Sequence, residues 1–223
     1  MSSATITTSA RLMNSTPQTE EQAMVRKVAV SSFLGNFIEW FDYASYSYFA
    51  TTIALVFFPT DNHTVAMLQT FGVFALSFIL RPIGALFWGS YGDKKGRKAA
   101  LAHSIMFMSG ASFLIGCLPS YSVIGVGAPI LLLLLRMVQG FSASGEYAGA
   151  ATFLGEYAPT SKRGIYCSLI PASTAIGLLA GSTLATLMTA NMNSSAMVGW
   201  GWRVPFLLAG PLGLIVLYIR TKL

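Results

Sequence analysis

Charged residues are scarce in this 223-residue sequence. They make up 10% of it, and hydrophobic residues make up 54%, whereas an ordinary soluble domain carries roughly 25% charged residues. So few charges cannot cover the surface of a soluble domain of this size, and the 13% aromatic content excludes a disordered chain. With only two cysteines, the sequence holds neither a disulfide framework nor a cysteine-based metal site. The remaining class is an integral membrane protein.

Long apolar runs fill most of the chain after residue 27. A helix needs about 20 mainly apolar residues to cross a bilayer, and the runs lack the period of two that membrane β-strands show. They predict an all-α membrane protein with a six-helix transmembrane domain over residues 28–223, whose spans cover approximately residues 28–58, 65–90, 99–119, 124–155, 164–189 and 200–219. Residues 1–27 have no signal-peptide core and predict a disordered cytoplasmic tail.

The distribution of Lys and Arg predicts how the spans are oriented. With the N-terminus inside, the cytoplasmic segments hold eleven Lys and Arg residues, Arg220 among them, and the outer loops hold only Arg203. Cytoplasmic loops carry the positive excess in membrane proteins, so both termini are predicted on the cytoplasmic side. No basic stripe with interleaved aromatics lies outside the apolar runs, so no nucleic-acid partner is predicted.

Five ionisable residues lie inside the predicted spans, namely Glu39, Asp42, Arg81, Arg136 and Glu146. Insertion scales assign about 2.5–3.5 kcal/mol to each Asp, Lys or Arg at a helix centre, so such groups persist where they face protein or a wet cavity and form pairs. From a rise of ~1.5 Å per residue, Arg81 lies close to the level of Glu39, and Asp42 reaches the level of Arg136. These levels permit carboxylate–guanidinium pairs near the midplane. They favour a transport pathway, with a purely structural ion pair as the alternative.

A polar stripe follows one face of span 1. Asn36, Glu39, Asp42, Tyr43 and Tyr46 recur at spacings of three and four residues, which places them on one helical face that must point away from lipid. A carboxylate withdrawn from water can load and release a proton near neutral pH, and an arginine partner keeps it ionised. The stripe therefore favours proton coupling. Aromatics on the same helix would either cradle a quaternary ammonium through cation–π attraction or pack against lipid and neighbouring helices.

The segment between spans 2 and 3 combines glycines with basic residues and reads Gly89-Ser-Tyr-Gly92-Asp93-Lys94-Lys95-Gly96-Arg97-Lys98. Gly89 and Gly92 allow close helix approach, and Gly96 allows a tight turn. Asp93 can pair with Arg97 or cap a helix N-terminus. A generic basic loop needs only its lysines and arginines, so this spacing is more specific than that.

The loop resembles the major facilitator superfamily pattern G-x-L-A-D-x-x-G-R-K, with Tyr91 and Gly92 in place of the Leu-Ala pair. Arg136-Met-Val-Gln139-Gly140 is similar to the family's R-x-x-Q-G element, and Glu156 and Arg163, with six residues between them, resemble its Glu/Arg charge pair. Residues 35–43, 57–59, 81–84, 145–147 and 200–205 most resemble the metabolite:proton symporters, in particular those that carry proline and betaine.

This resemblance implies a secondary transporter that works by alternating access in the bacterial inner (plasma) membrane, driven by the proton gradient and without a cofactor. Its expected substrate is a small polar or zwitterionic osmolyte such as proline or glycine betaine. The implied residues for proton coupling and substrate binding are Glu39, Asp42, Arg81, Arg136, Glu146, Asn36, Tyr43 and Tyr46. The implied cytoplasmic gate consists of Gly89, Asp93, Gly96, Arg97, Glu156 and Arg163.

Other functions stay open. A di- or tricarboxylate:proton symporter would use Arg81 and Arg136 to bind substrate carboxylates. Carriers of this superfamily have two six-helix halves around a midplane site, so six spans amount to the N-terminal half of the fold. Transport would then need a missing C-terminal half or an oligomer, and the alternatives are a half-carrier without activity or a non-transporting membrane protein that pairs with a carrier. No nucleophile–base pair, phosphate loop or metal spacing is present, so an enzyme is not expected.

Overall fold

The computed structural model describes residues 16–222, and every regular element in that range is helical. A 3-10 turn, Thr160–Lys162, precedes α9, and a π-helical turn, Met197–Gly201, lies before α12. In chain order the helices are α1 (Thr16–Tyr48), α2 (Ala50–Phe57), α3 (His63–Ile79), α4 (Arg81–Lys95), α5 (Arg97–Cys117), α6 (Tyr121–Ile124), α7 (Gly127–Ala143), α8 (Glu146–Tyr157), α9 (Arg163–Cys167), α10 (Leu169–Asn191), α11 (Ser194–Ala196) and α12 (Arg203–Thr221).

Local sequence explains several of the helix ends. The Asn62 side chain accepts a hydrogen bond from the backbone N–H of Thr64 at 3.0 Å and so caps the start of α3. Helices α3 and α4 are separated by a single residue, and Pro82, in the first turn of α4, has no N–H with which to continue the hydrogen-bond ladder. Gly96 turns the chain from α4 into α5 with a φ of 92°, which glycine adopts without strain.

Two predicted boundaries were wrong. Helix α1 begins at Thr16, so residues 16–27, predicted as part of a disordered tail, are helical, while residues 1–15 lie outside the described residues. This stretch contains Glu, Gln and Ala, which are good helix formers. Helix α4 continues to Lys95, beyond the predicted end of the span at residue 90, so Asp93 lies on a helix rather than in a loop. Helical hydrogen bonding continues past the apolar run because the polar side chains at its end remain solvated.

Within residues 16–222, five helical segments are long and apolar enough to cross a bilayer, and they are His63–Lys95, Arg97–Cys117, Gly127–Tyr157, Thr160–Asn191 and Ser194–Thr221. The protein is therefore a multi-pass membrane protein. The predicted first span corresponds to α1 and α2, which fall outside this set because their polar and ionisable residues lower their apolarity. Since α1 nevertheless packs against α8, α10 and α12, it belongs to the bundle, and the count of six spans stays a prediction.

The apolar core forms three layers along α1 and α2. The first layer surrounds Val28, the second surrounds Ile38, and the third extends from Tyr46 to Phe57 and includes Trp202. Polar and charged side chains of α1 lie between these apolar layers, and their partners come from α4, α5, α7 and α10. The fold thus surrounds a chain of intramembrane charges with apolar packing.

Candidate functional site

The polar stripe of α1 faces the interior of the bundle. Its five predicted members, Asn36, Glu39, Asp42, Tyr43 and Tyr46, each expose 7% or less of their surface. The prediction that this face points away from lipid is therefore confirmed. The stripe takes part in two ion pairs and one amide contact, each with a different helix.

Asp42 forms a buried ion pair with Arg136 of α7. The Nη1 atom of Arg136 donates to Asp42 Oδ2 at 2.6 Å. Two neutral donors bind the other carboxylate oxygen: Ser112 Oγ at 2.9 Å from α5 and Gln139 Nε2 at 3.1 Å from α7. The carboxylate therefore has one charged and two neutral partners, which together offset much of the cost of removing it from water.

Aromatic rings enclose the arginine of this pair. The Cζ atom of Arg136 lies 3.9 Å from the Tyr46 ring centroid and 5.4 Å from that of Phe206, and Arg136 exposes 0% of its surface. Its Nε and Nη2 atoms and the Oε1 atom of Gln139 have no hydrogen-bond partner among the described residues. The pair is thus sealed inside the bundle but not saturated with hydrogen bonds.

Glu39 forms the second ion pair, with Arg81 at the start of α4. Arg81 Nη2 donates to Glu39 Oε1 at 2.6 Å and also to the hydroxyl of Tyr43. The guanidinium lies 4.7 Å from the ring centroid of Phe78 and 5.0 Å from that of Tyr43. The Glu39 side chain is buried, whereas 27% of the Arg81 side chain is exposed. This pair lies at the edge of the helix bundle.

The aromatics of residues 40–49 do not form an open cage around one cavity. Tyr43 and Tyr46 are in contact with the guanidinium groups of the two ion pairs, Phe49 is part of the apolar core, and Tyr48 is exposed. The ring faces nearest the carboxylates are thus in contact with arginine.

Asn36 joins α1 to α10 instead of an ion pair. Its amide nitrogen lies 2.8 Å from Ser173 Oγ, 2.8 Å from Thr174 Oγ1 and 3.0 Å from the Ile170 carbonyl. Small residues on α10 allow this approach, since Gly177 packs directly against the backbone of α1. Among the residues of the stripe, Asn36 is therefore the one whose side-chain nitrogen bonds to α10 rather than to an ion pair.

A third ion pair was missed from the sequence. Glu146, at the start of α8, binds Arg220 at the end of α12, and both side chains are buried. Arg220 also donates to the carbonyls of Ser31 and Leu101, so the cluster joins α1, α5, α8 and α12. The sequence had placed Arg220 just beyond the last predicted span, and its side chain reaches back into the bundle. The sequence did contain one sign of this pair. Glu146 is a carboxylate inside a predicted span, and no basic residue had been assigned to it as a partner.

Part of the predicted gate is present as an exposed ion pair. Arg97 Nη2 lies 3.2 Å from Asp93 Oδ1, four residues earlier, so the predicted pairing of these residues is confirmed. Gly92 is buried, with a Cβ position 3.5 Å from Ala100. Gly89 has nothing within 4 Å of its Cβ position, so the close helix approach expected there is not found among the described residues.

The second charge pair of the predicted gate does not form. Among the ion pairs of the described residues 22–222, none joins Glu156 to Arg163 with an N···O distance of 4.0 Å or less. Glu156 lies near the end of α8 and Arg163 begins α9, with the 3-10 turn between them. Both side chains are exposed. The sequence spacing therefore indicated the motif but not a contact between its charges.

Comparison with protein-family models identifies the family of this chain. The model described as "Sugar (and other) transporter" matches residues 27–223, which is nearly the whole chain. The chain belongs to the sugar (and other) transporter family. Its members belong to the major facilitator superfamily, as the sequence resemblance had implied.

Curated relatives of this chain are named as transporters of proline and betaine. The chain is 43% identical over 203 residues to the glycine betaine/proline/ectoine/pipecolic acid transporter OusA of Dickeya dadantii, covering 91% of this chain and 40% of the relative. It is 42% identical over 203 residues to the proline/betaine transporter of Escherichia coli K12, covering 91% of this chain and 41% of that protein. The chain therefore spans about two-fifths of the length of these relatives.

Solved structures of the same superfamily share the fold. The proton:xylose symporter XylE bound to 6-bromo-6-deoxy-D-glucose superposes with a TM-score of 0.80 at 16% identity, covering 91% of this chain and 45% of the symporter. A partially occluded, inward-open conformation of XylE from E. coli gives a TM-score of 0.79 at 17% identity, covering 89% of this chain and 48% of that structure. At this identity the likeness concerns the helical architecture alone.

Proposed function

We propose that this protein carries out proton-coupled symport of a small zwitterionic osmolyte, with proline and glycine betaine as the first candidates. The observation that carries the proposal is the sealed Asp42–Arg136 pair on α1 and α7. The names of the transporter-family relatives support the substrate class.

Asp42 suits a proton carrier because its charge depends on a movable neighbour. Its carboxylate has one charged partner, Arg136 on the neighbouring helix α7, and a proton is the smallest cation that can take the place of that partner. Movement of Arg136 away from the carboxylate would thus load a proton, and its return would release the proton. Ser112 and Gln139 remain as neutral hydrogen-bond partners in both states.

The balance of buried charge favours a zwitterion over a dicarboxylate. Each of the two arginines nearest the stripe is already neutralised by a carboxylate of α1. A dicarboxylate needs excess positive charge at its site, whereas a zwitterion adds no net charge to two neutral ion pairs. A di- or tricarboxylate symporter is therefore the second candidate.

Three further features complete the proposal. Helix α1 crosses the membrane as a sixth span, because its ionisable residues are paired inside the bundle rather than exposed to lipid. Both termini lie on the cytoplasmic side of the bacterial inner membrane, in keeping with the Lys and Arg distribution. The energy source is the proton gradient, and transport needs no cofactor.

Uptake of labelled proline and glycine betaine tests the function. Cells that lack their own carriers for these solutes would express the protein and be assayed with and without a proton uncoupler. We expect uncoupler-sensitive accumulation, and its loss in the Asp42→Asn variant. The matched control is Asp61→Asn, which removes an exposed aspartate far from the ion pairs in sequence.

Competition separates the two candidate substrate classes. Unlabelled betaine should inhibit proline uptake, and citrate and 2-oxoglutarate should not. If the two carboxylates inhibit and betaine does not, the substrate is a di- or tricarboxylate. Uptake at background despite confirmed membrane insertion would contradict transport by this chain on its own.

A further inference from the structure

The two ion pairs of α1 differ in how closely the bundle encloses them. Arg136 and Asp42 are sealed, whereas the guanidinium of Arg81 is partly exposed beside a buried Glu39. We propose that the Glu39–Arg81 pair recognises both charged ends of the solute and that Arg136 does not contact it. This inference rests on the proposed function and assigns binding and coupling to separate pairs.

The Glu39–Arg81 pair has a spare acceptor and a spare donor. Arg81 Nη2 is used by Glu39 Oε1 and the Tyr43 hydroxyl. Glu39 Oε2 and Arg81 Nε are buried and have no hydrogen-bond partner within the described part of the chain, and Trp40 Nε1 close by on α1 has none either. An ammonium group complements the unpartnered carboxylate oxygen, and a carboxylate complements the unpartnered Nε–H and the exposed part of the guanidinium.

Arg81 lies at the junction of α3 and α4, one residue beyond the end of α3. Its partly exposed guanidinium favours an anionic group on this side of the pair.

Aromatic rings beside Arg81 suit a methylated or ring-bound ammonium. The Phe78 ring centroid lies 4.7 Å from Arg81 Cζ and 5.6 Å from the Tyr43 centroid, and Phe78 is 40% exposed. A quaternary ammonium has no N–H to donate, so it binds to ring faces and to a nearby negative charge. Phe78 and Glu39 together supply both, next to the residue that would hold the carboxylate.

Arg136 lacks a comparable route to the solute. The Tyr46 and Phe206 rings flank its guanidinium, and Ser112 and Gln139 occupy the other side of Asp42. A ligand could contact Arg136 only after the Tyr46 or the Phe206 ring moves away, which would also open the apolar layer that contains both rings. The unpartnered atoms of Arg136 therefore serve its movement relative to Asp42 rather than substrate binding.

Equilibrium binding of labelled glycine betaine and proline to the purified protein in lipid nanodiscs tests this assignment. Loss of one charge-assisted hydrogen bond corresponds to about a tenfold to hundredfold weaker Kd. We expect that increase for Arg81→Gln with both solutes, and partial recovery for Arg81→Lys, which would exclude misfolding as the cause. Arg136→Gln should change Kd by less than about threefold while abolishing proton-driven accumulation. The exposed Arg26→Gln is the matched control.

A second variant, Phe78→Leu, and a competitor with a single charged end, choline, test the two ends of the solute separately. Phe78→Leu should weaken betaine binding several-fold and proline binding less, because the ring face matters most for a quaternary ammonium. Choline has that ammonium but no carboxylate, so Arg81→Gln should not weaken choline competition. If the unmodified protein binds neither solute, the proposed function fails. If it binds both, and Arg136→Gln but not Arg81→Gln weakens Kd tenfold, the function stands and this inference is overturned.

Discussion

Removal of the charge on Arg136 should destabilise the protein, and removal of both charges of the pair should not. Breaking a buried ion pair by truncating one partner costs about 3–5 kcal/mol, because the other charge stays buried and uncompensated. The lost contact with the Tyr46 ring adds to this cost. The hydrogen bonds from Ser112 and Gln139 remain and offset about 1 kcal/mol each. We therefore expect Arg136→Gln to cost about 3 kcal/mol.

The double variant Asp42→Asn/Arg136→Gln should recover most of this loss, because a neutral amide pair leaves no buried charge. Thermal unfolding in nanodiscs measures the effect, and for a chain of this size about 3 kcal/mol corresponds to about 6–12 °C in Tm. Transport gives the second readout. The double variant should regain stability without regaining uncoupler-sensitive accumulation.

Two outcomes would refute the reasoning. If the double variant is less stable than either single variant, the pair is not held together by mutual charge compensation. If it is stable and also accumulates solute against a gradient, the pair is structural and carries no proton. Both outcomes are read from the same four proteins, namely the unmodified protein, Asp42→Asn, Arg136→Gln and the double variant.

Three further predictions concern other parts of the bundle. Asp93→Asn should change stability by no more than about 0.5 kcal/mol, because 68% of its side chain is exposed, and should slow solute exchange while leaving Kd unaltered. A weaker Kd with normal exchange would instead place Asp93 in the binding site. Gly177→Val should cost about 1–3 kcal/mol, since a Cβ there would lie 2.8 Å from the Phe37 carbonyl oxygen. Gly72→Val, where nothing lies within 4 Å, is its control in thermal unfolding. Glu146→Gln should cost about 3–5 kcal/mol by leaving a buried arginine unpaired, with betaine Kd unchanged, and a selective loss of betaine binding would contradict a purely structural pair.

Hydrophobicity and helical spacing predicted most of the fold and part of the site. Apolar runs located the helices because a membrane helix satisfies its backbone groups internally. The three- and four-residue spacing on α1 predicted its buried face, and helical rise placed Glu39 and Asp42 at the levels of Arg81 and Arg136. The sequence could not show that one pair is sealed and the other partly exposed, because this depends on how α12 packs against α5 and α1 and brings Phe206 over Arg136.

Arg220 shows where such reasoning stops. A basic residue at the end of a span has the same sequence signature whether its side chain points to water or back into the bundle. Only the packing of α12 against α5 and α1 brings it to Glu146. The Glu156 and Arg163 motif shows the converse, because a recognised spacing did not correspond to a contact in the structure.

The order of the three buried ion pairs along the chain has a consequence for biosynthesis. In each pair the carboxylate is synthesised first, and its arginine follows 42, 94 or 74 residues later. At about 5–20 residues per second, Asp42 leaves the ribosome about 5–20 s before Arg136. During that interval α1 carries two carboxylates that lipid would not accept without cost. Helix α1 must therefore be retained beside the insertion machinery until α4 and α7 arrive, so these helices enter the bilayer as a group rather than one at a time.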